Sequence, residues 1–295
     1  MKRILTAIII CIVAAAHAPA QKPLAVDIWP EGLPNSNGTD LTEPYSDETR
    51  NYKPTMYVYL PDSNKATGRA VLALPGGGYV WESFDNEGHS WAKPLNDRGI
   101  ALIVVKYRLP RNRMLAVPET DVYEAIRITR RHAREWHIDP HKVGVMGFSA
   151  GGHLASTVAT HAKGNARPDF HILFYAVTSM RDNMRTKHSG TKPNFMGLDA
   201  PADIVAYYSN DEQVTASTPP ALIFTVDDDT LVPTSNSVNY YLALNRAGVP
   251  ASLHIYPGGG HGFGGSEKFP YRKAMLDTLF SWLDTLPWPY LETHI

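Results

Sequence analysis

Val143-Gly144-Val145-Met146-Gly147-Phe148-Ser149-Ala150-Gly151-Gly152-His153 is the stretch that decides how this chain is read. Residues 143–146 form a short apolar run that predicts a buried strand, and residues 154–159 predict a helix. Between them sits Gly147-x-Ser149-x-Gly151, the nucleophile-elbow pattern in its required context of strand, sharp turn and helix. The turn forces Ser149 into a strained backbone conformation, and side chains at 147 or 151 would collide with the neighbouring strand or helix. The Ser149 hydroxyl then stands at the end of a sheet, and the Ala150 N–H, at a helix N-terminus, points where an oxyanion would form. The competing reading is a glycine-rich turn with a capping serine, so the rest of the chain has to decide.

Upstream, an apolar strand over residues 70–74 runs directly into Pro75-Gly76-Gly77-Gly78-Tyr79. Consecutive glycines after a strand let backbone N–H groups approach a ligand closely. The run lacks the Gly-Lys-Ser/Thr of a phosphate-binding loop.

Downstream, a strand over residues 221–226 ends in Asp227-Asp228-Asp229-Thr230-Leu231-Val232-Pro233. Adjacent carboxylates cannot all face one partner, so one of the three is the candidate acid. Calcium-binding spacing is absent from this run. The next strand, residues 252–256, ends in Pro257-Gly258-Gly259-Gly260-His261-Gly262-Phe263-Gly264, a histidine held between glycines. None of the other eleven histidines has this strand-end setting, and no His-Glu-x-x-His or Cys/His cluster suggests a metal. A serine hydroxyl needs a base, and the base needs an orienting carboxylate. Serine, acid and histidine occur here in the chain order Ser, Asp, His.

The remaining pattern is alternating. Strands are predicted at residues 55–60, 100–105 and 170–176, and helices at 88–98, 118–136, 202–208, 235–247 and 269–286. Residues 21–52 read as an irregular arm, and residues 178–220 as a strandless stretch that serves as a lid or a substrate-facing insertion. In the helix over 118–136, Val122, Ala125, Ile126 and Thr129 share one face, with Arg127, Arg130, Arg131 and Arg134 on a solvated one. The alternation predicts one doubly wound α/β domain over residues 21–295, with a mostly parallel sheet and the site at the carboxyl ends of its strands.

The 295 residues are 43% hydrophobic and carry a formal charge of −1, with no basic stretch to suggest nucleic acid. Residues 1–20 read as a signal peptide: Lys2-Arg3, an apolar run over 4–16, then Ala18-Pro19-Ala20 as cleavage site. The run is too short to span a membrane comfortably. Cys11 lies inside it, so the processed chain would hold no cysteine and no disulfide. A periplasmic or secreted protein without a membrane anchor is the expectation.

With these residues placed, the chain resembles the α/β-hydrolase superfamily of serine esterases, and within it the secreted acetylxylan esterase-like branch. The resemblance is carried by Ile28-Trp29-Pro30-Glu31-Gly32, Pro75-Gly76-Gly77-Gly78-Tyr79, Val105-Lys106-Tyr107-Arg108-Leu109-Pro110, residues 146–155, Thr218-Pro219-Pro220, Asp229-x-x-Val232-Pro233 and Gly260-His261-Gly262-Phe263-Gly264. It implies the α/β-hydrolase fold with helices on both faces of the sheet. It also implies Ser149 as nucleophile, His261 as base, Asp229 as acid with Asp228 as fallback, and Gly77, Gly78 and Ala150 as oxyanion donors. No cofactor or metal is implied. The implied substrate is an acetylated polysaccharide such as xylan, with feruloyl esters or short-chain esters as alternatives. Tyr79, Trp81 and Phe84 are candidates for stacking on sugar rings, against a role in packing the glycine loop. A non-catalytic carbohydrate-binding protein on the same scaffold is the reading from another class.

Overall fold

The computed structural model describes residues 22–182 and 190–286. The expected signal peptide, with Cys11, lies outside the described residues.

The chain runs β1 (Leu24–Asp27), β2 (Thr55–Tyr59), β3 (Gly68–Leu74), α1 (Phe84–Glu87), α2 (Ala92–Asn96), β4 (Ala101–Lys106), α3 (Ala116–Arg131), β5 (Ile138–Phe148), α4 (Ser149–His161), β6 (His171–Phe174), α5 (Thr191–Phe195), α6 (Ala202–Tyr207), β7 (Ala221–Val226), α7 (Ser235–Arg246), β8 (Ala251–Tyr256) and α8 (Arg272–Thr285). The strands form one sheet in the order β1-β2-β4-β3-β5-β6-β7-β8. Pairs β1–β2 and β2–β4 are antiparallel. From β4 through β3 to β8 every pair is parallel.

Successive residues of a strand face opposite sides of a sheet, and both sides here are apolar. Ala70, Leu72 and Leu74 of β3 join one buried cluster with Val122 and Ile126 of α3, Leu154 of α4 and Leu244 of α7. Val71 and Ala73 join the other, with Leu95 of α2 and Met275, Leu279 and Leu283 of α8. Helices therefore cover both faces, the doubly wound arrangement expected of the sequence.

Three expectations need correction. The predicted helix over 88–98 is broken into α1, a single 3-10 turn at His89–Trp91, and α2. The arm is not wholly irregular: Leu24–Asp27 pairs with β2, although only two of its residues are even half-buried. So short and exposed a strand leaves no alternating signal. Arg130 is not merely solvated, because its guanidinium meets Asp169 at 3.0 Å and also donates to the Pro140 and Asn165 carbonyls.

The arm is fastened to the end of β4 by a buried charge cluster. Arg108 is wholly buried and donates to Asp121, Asp40 and both the carbonyl and side-chain oxygens of Asn35. Trp29 Nε1 donates to Asp121 at 2.7 Å. A buried guanidinium requires this much pairing to offset its desolvation.

Candidate active site

The ends of β3, β5, β6, β7 and β8 lead into the segments that carry the candidate residues. Ser149 sits between β5 and α4 with φ of 51°, a left-handed conformation that costs on the order of 1 kcal/mol for a residue with a Cβ. The turn is close-packed. A Cβ on Gly147 would lie 2.3 Å from the Gly151 carbonyl oxygen, and one on Gly151 only 2.1 Å from that of Leu74.

Ser149 Oγ lies 2.9 Å from His261 Nε2, and His261 Nδ1 lies 2.7 Å from Asp229 Oδ2. Those partners assign the tautomer: Nδ1–H donates to the carboxylate and Nε2 accepts from the hydroxyl. The other Asp229 oxygen accepts the N–H groups of Leu231 and Val232, both at 2.9 Å, so the buried carboxylate is fixed from two sides. Asp228 turns elsewhere. It accepts the Gly259 and Gly260 N–H groups at 3.1 and 2.9 Å. These two bonds, with that to Gly260 the stronger, hold its carboxyl below the usual range. The structure thus brings Ser149, His261 and Asp229 together and sets Asp228, the fallback, apart as the clamp of the histidine loop.

Gly76 N–H donates to Glu87 Oε2 at 2.7 Å. Gly77 and Gly78 follow at φ of 138° and 62°, and among the described residues their N–H groups meet no protein acceptor. A Cβ on Gly76 would lie 2.9 Å from Ser149 Cβ, which places this loop directly against the serine. The Ala150 N–H belongs to the first turn of α4, where backbone donors have no partner within the helix. The loop is anchored by Tyr107 Oη, donating to the Pro75 carbonyl at 2.6 Å, and by Asn194 Nδ2, donating to that of Gly78 at 2.9 Å.

Tyr79 does not offer a sugar platform. It is 3% exposed, its ring stacks on Phe195 at 4.6 Å, and its hydroxyl donates to His153 Nδ1 at 2.8 Å. His153 Nε2 in turn donates to the Tyr208 carbonyl, and burial lowers its pKa to about 4, which keeps it neutral. Phe84 is half-buried edge-on to Tyr52. Trp81 alone of the three is open, at 46% exposure. Through Phe195 on Tyr79 and Asn194 on Gly78, the described part of the 178–220 insertion packs against the glycine loop, with Tyr208 behind Phe195. Beside it lies a groove of about 550 Å³, lined by Met114, Glu119, Ile204, Tyr207 and Tyr208.

The sequence reading missed three residues of this site. Glu87 is buried and bridges Gly76 N–H to Tyr175 Oη, and burial raises its carboxyl while those two bonds oppose the rise. Asn86 donates to the Gly262 carbonyl. In sequence Glu87 and Asn86 belong to an ordinary acidic helix start and Tyr175 to the apolar run of 170–176, and nothing marks any of the three. Among the described residues no group of three His, Cys, Asp or Glu side chains could hold a metal.

The arrangement supplies a hydroxyl, a base within hydrogen-bond reach, an oriented carboxylate and free backbone donors beside them. That is the equipment of acyl transfer. The BD-FAE family pattern matches residues 56–244. An acetylxylan esterase from Xylanibacter ruminicola is 42% identical over 241 residues, covering 80% of this chain and 49% of that protein. The chain thus spans about half the length of that relative. An acetyl ester-xyloside bifunctional hydrolase from Caldicellulosiruptor lactoaceticus superposes with a TM-score of 0.76 at 31% identity, over 91% of this chain and 98% of that one. An α/β hydrolase enzyme from a Medee basin deep-sea metagenome library follows at 0.63 and 28%, over 78% and 91%. The sheet order, the strand-end serine and histidine, and a pattern running from β2 into α7 give one answer: this chain is an α/β hydrolase and belongs to the BD-FAE family.

Proposed function

We propose that this chain is a carboxylic ester hydrolase that removes O-acetyl groups from xylan or a related plant polysaccharide. The observation that carries the reading is the continuous contact from Ser149 Oγ through the His261 ring to Asp229. His261 Nε2 takes the hydroxyl proton as Ser149 Oγ bonds to the ester carbonyl carbon. The carbonyl oxygen becomes an oxyanion, stabilised by the N–H groups of Gly77, Gly78 and Ala150, each contributing roughly 3 kcal/mol in comparable sites. The carbon–oxygen bond to the sugar then breaks, and His261 returns the proton to the leaving sugar oxygen. Water repeats the sequence on the acetyl-enzyme, releasing acetate and restoring Ser149. Asp229 orients the ring and stabilises the imidazolium without itself taking the proton. The likeness to an acetylxylan esterase and to an acetyl ester-xyloside hydrolase supports the acetyl and xylan parts of the reading. Exposed Trp81, close to the glycine loop, is the candidate sugar contact. The signal-like residues 1–20 support action in the periplasm or outside the cell.

The test is acetate release from acetylated xylan by the purified chain, beside Ser149→Ala. Release that disappears in the variant is the expected result. Ser149-dependent cleavage of 4-nitrophenyl acetate with no release from xylan would reject the polymer and keep the chemistry. No Ser149-dependent hydrolysis and no fluorophosphonate labelling would leave a carbohydrate-binding protein instead. Amino-terminal sequencing of the exported protein, expected to begin at Gln21, tests the location.

A further inference from the structure

Two consecutive residues of α1 touch both loops that flank Ser149. Glu87 Oε2 accepts the Gly76 N–H at 2.7 Å, immediately before the free donors of Gly77 and Gly78. Glu87 Oε1 accepts from Tyr175 Oη at 2.8 Å, and Tyr175 Oη accepts the Gly264 N–H at 3.1 Å. The Tyr175 ring stands edge-on to the His261 ring, centroids 4.7 Å apart. Asn86 Nδ2 donates to the Gly262 carbonyl, and the Gly265 N–H donates to the Asn86 carbonyl, both at 2.8 Å. Residues from β3's end, β6's end and the histidine loop therefore meet at one short helix.

We propose that Glu87 is a positioning residue, which holds the oxyanion donors and the His261 ring at a fixed separation through Gly76 on one side and Tyr175 on the other. The inference rests on the serine-hydrolase reading above. A carboxylate that is 4% exposed is expensive to keep, and an apolar side chain would fill its place without that cost. What an apolar residue cannot do is accept two hydrogen bonds from two different loops. The interaction matters most when the oxyanion exists, because the tetrahedral oxygen needs the donors and the leaving group needs the imidazolium at the same moment.

The experiment compares Glu87→Gln, Tyr175→Phe and the double variant in the full chain, with 4-nitrophenyl acetate as substrate and Ser149→Ala as baseline. Glu87→Gln keeps the shape and one acceptor. Tyr175→Phe removes one hydroxyl and keeps the ring against His261, so it decides the matter even if the glutamine variant folds poorly. Each single variant is expected to lose about 10- to 100-fold in kcat with KM changed less than about threefold, as a small misplacement of reacting groups produces. The double variant is expected to lose no more than the worse single one, because both cut the same chain of bonds. Wild-type kcat in folded Glu87→Gln and in Tyr175→Phe, or losses that multiply in the double variant, would overturn the proposal. If Ser149→Ala is inactive while these variants are unaffected, only the positioning role fails. If Ser149→Ala keeps full activity, the serine-hydrolase reading fails with it.

Discussion

Asp228 and Asp229 leave the same strand end and divide the work of the histidine loop: Asp229 bonds the His261 ring, and Asp228 bonds the backbone of Gly259 and Gly260 that carries it. Asp228 lies exposed in the turn that follows β7 and reaches the main chain, whereas Asp229 is buried and reaches the ring.

Their substitutions are therefore expected to separate. Asp229→Asn should lower kcat by roughly 10⁴-fold, by the loss of tautomer and imidazolium stabilisation. Asp228→Asn should leave kcat within about tenfold, since the ring keeps its own partner. Because hydrogen bonds hold the Asp228 carboxyl below its ordinary value, its clamp is present above the usual aspartate range and is lost as pH falls through the lowered value. Acid unfolding of Asp228→Asn should consequently depend less on pH below the usual aspartate range than that of the parent. Steady-state kinetics measure the first pair of effects, and acid-unfolding midpoints the last.

Tyr79 and Trp81 should separate in a different way. Tyr79→Phe leaves buried His153 Nδ1 without its donor and should cost about 1–2 kcal/mol of stability. Trp81→Ala should raise KM for acetylated xylan several-fold, consistent with loss of about 1 kcal/mol of stacking. It should leave KM for 4-nitrophenyl acetate unchanged. Equal effects on both substrates would remove Trp81 from sugar binding.

Arg108→Met should destabilise the fold by about 3–5 kcal/mol, because it strands the buried Asp121 and Asp40 carboxylates without their cation. Adding Asp121→Asn should recover part of the loss. Urea midpoints at constant slope provide the measurement.

Glu119 gives the fold a pH dependence. Its carboxyl lies against the groove beside α6 and, among the described residues, one oxygen is buried without a hydrogen-bond partner. Burial raises its pKa from 4.5 to about 7. The folded state thus keeps a proton that the unfolded chain releases, so stability falls as pH rises from about 4.5 to about 7 and then levels off. Glu119→Gln should be more stable than the parent at pH 8 by about 3 kcal/mol, the upper size of such a shift. Thermal midpoints at pH 5 and pH 8 test this, with the two proteins converging at the acid end.

The residues legible in sequence share one property: each sits at a junction where local chemistry is forced. Ser149 stands between glycines that the close approach of β5, α4 and β3 demands. His261 stands between glycines after a strand, and Asp229 in the turn that follows a wholly buried strand. The central parallel strands were legible because both faces are covered, which leaves continuous apolar runs. Glu87, Asn86 and Tyr175 were not. Their meaning comes from partners up to 176 residues away in sequence, and a glutamate in a polar helix start carries no local mark of burial. The same holds for Tyr79, whose aromatic ring reads equally as platform or packing until Phe195 is seen to cover it.

The buried cluster around Arg108 also sets where this protein can be cut. Regular alternation begins only at β2, which makes residue 55 look like a natural start for a recombinant fragment. Such a fragment would lack Trp29, Asn35 and Asp40, so Arg108 would keep Asp121 but lose its Asp40 and Asn35 acceptors, and Asp121 would lose the Trp29 donor. A fragment that keeps this cluster therefore begins ahead of Trp29, and a tag or fusion partner joined ahead of β1 leaves every partner of Arg108 in place.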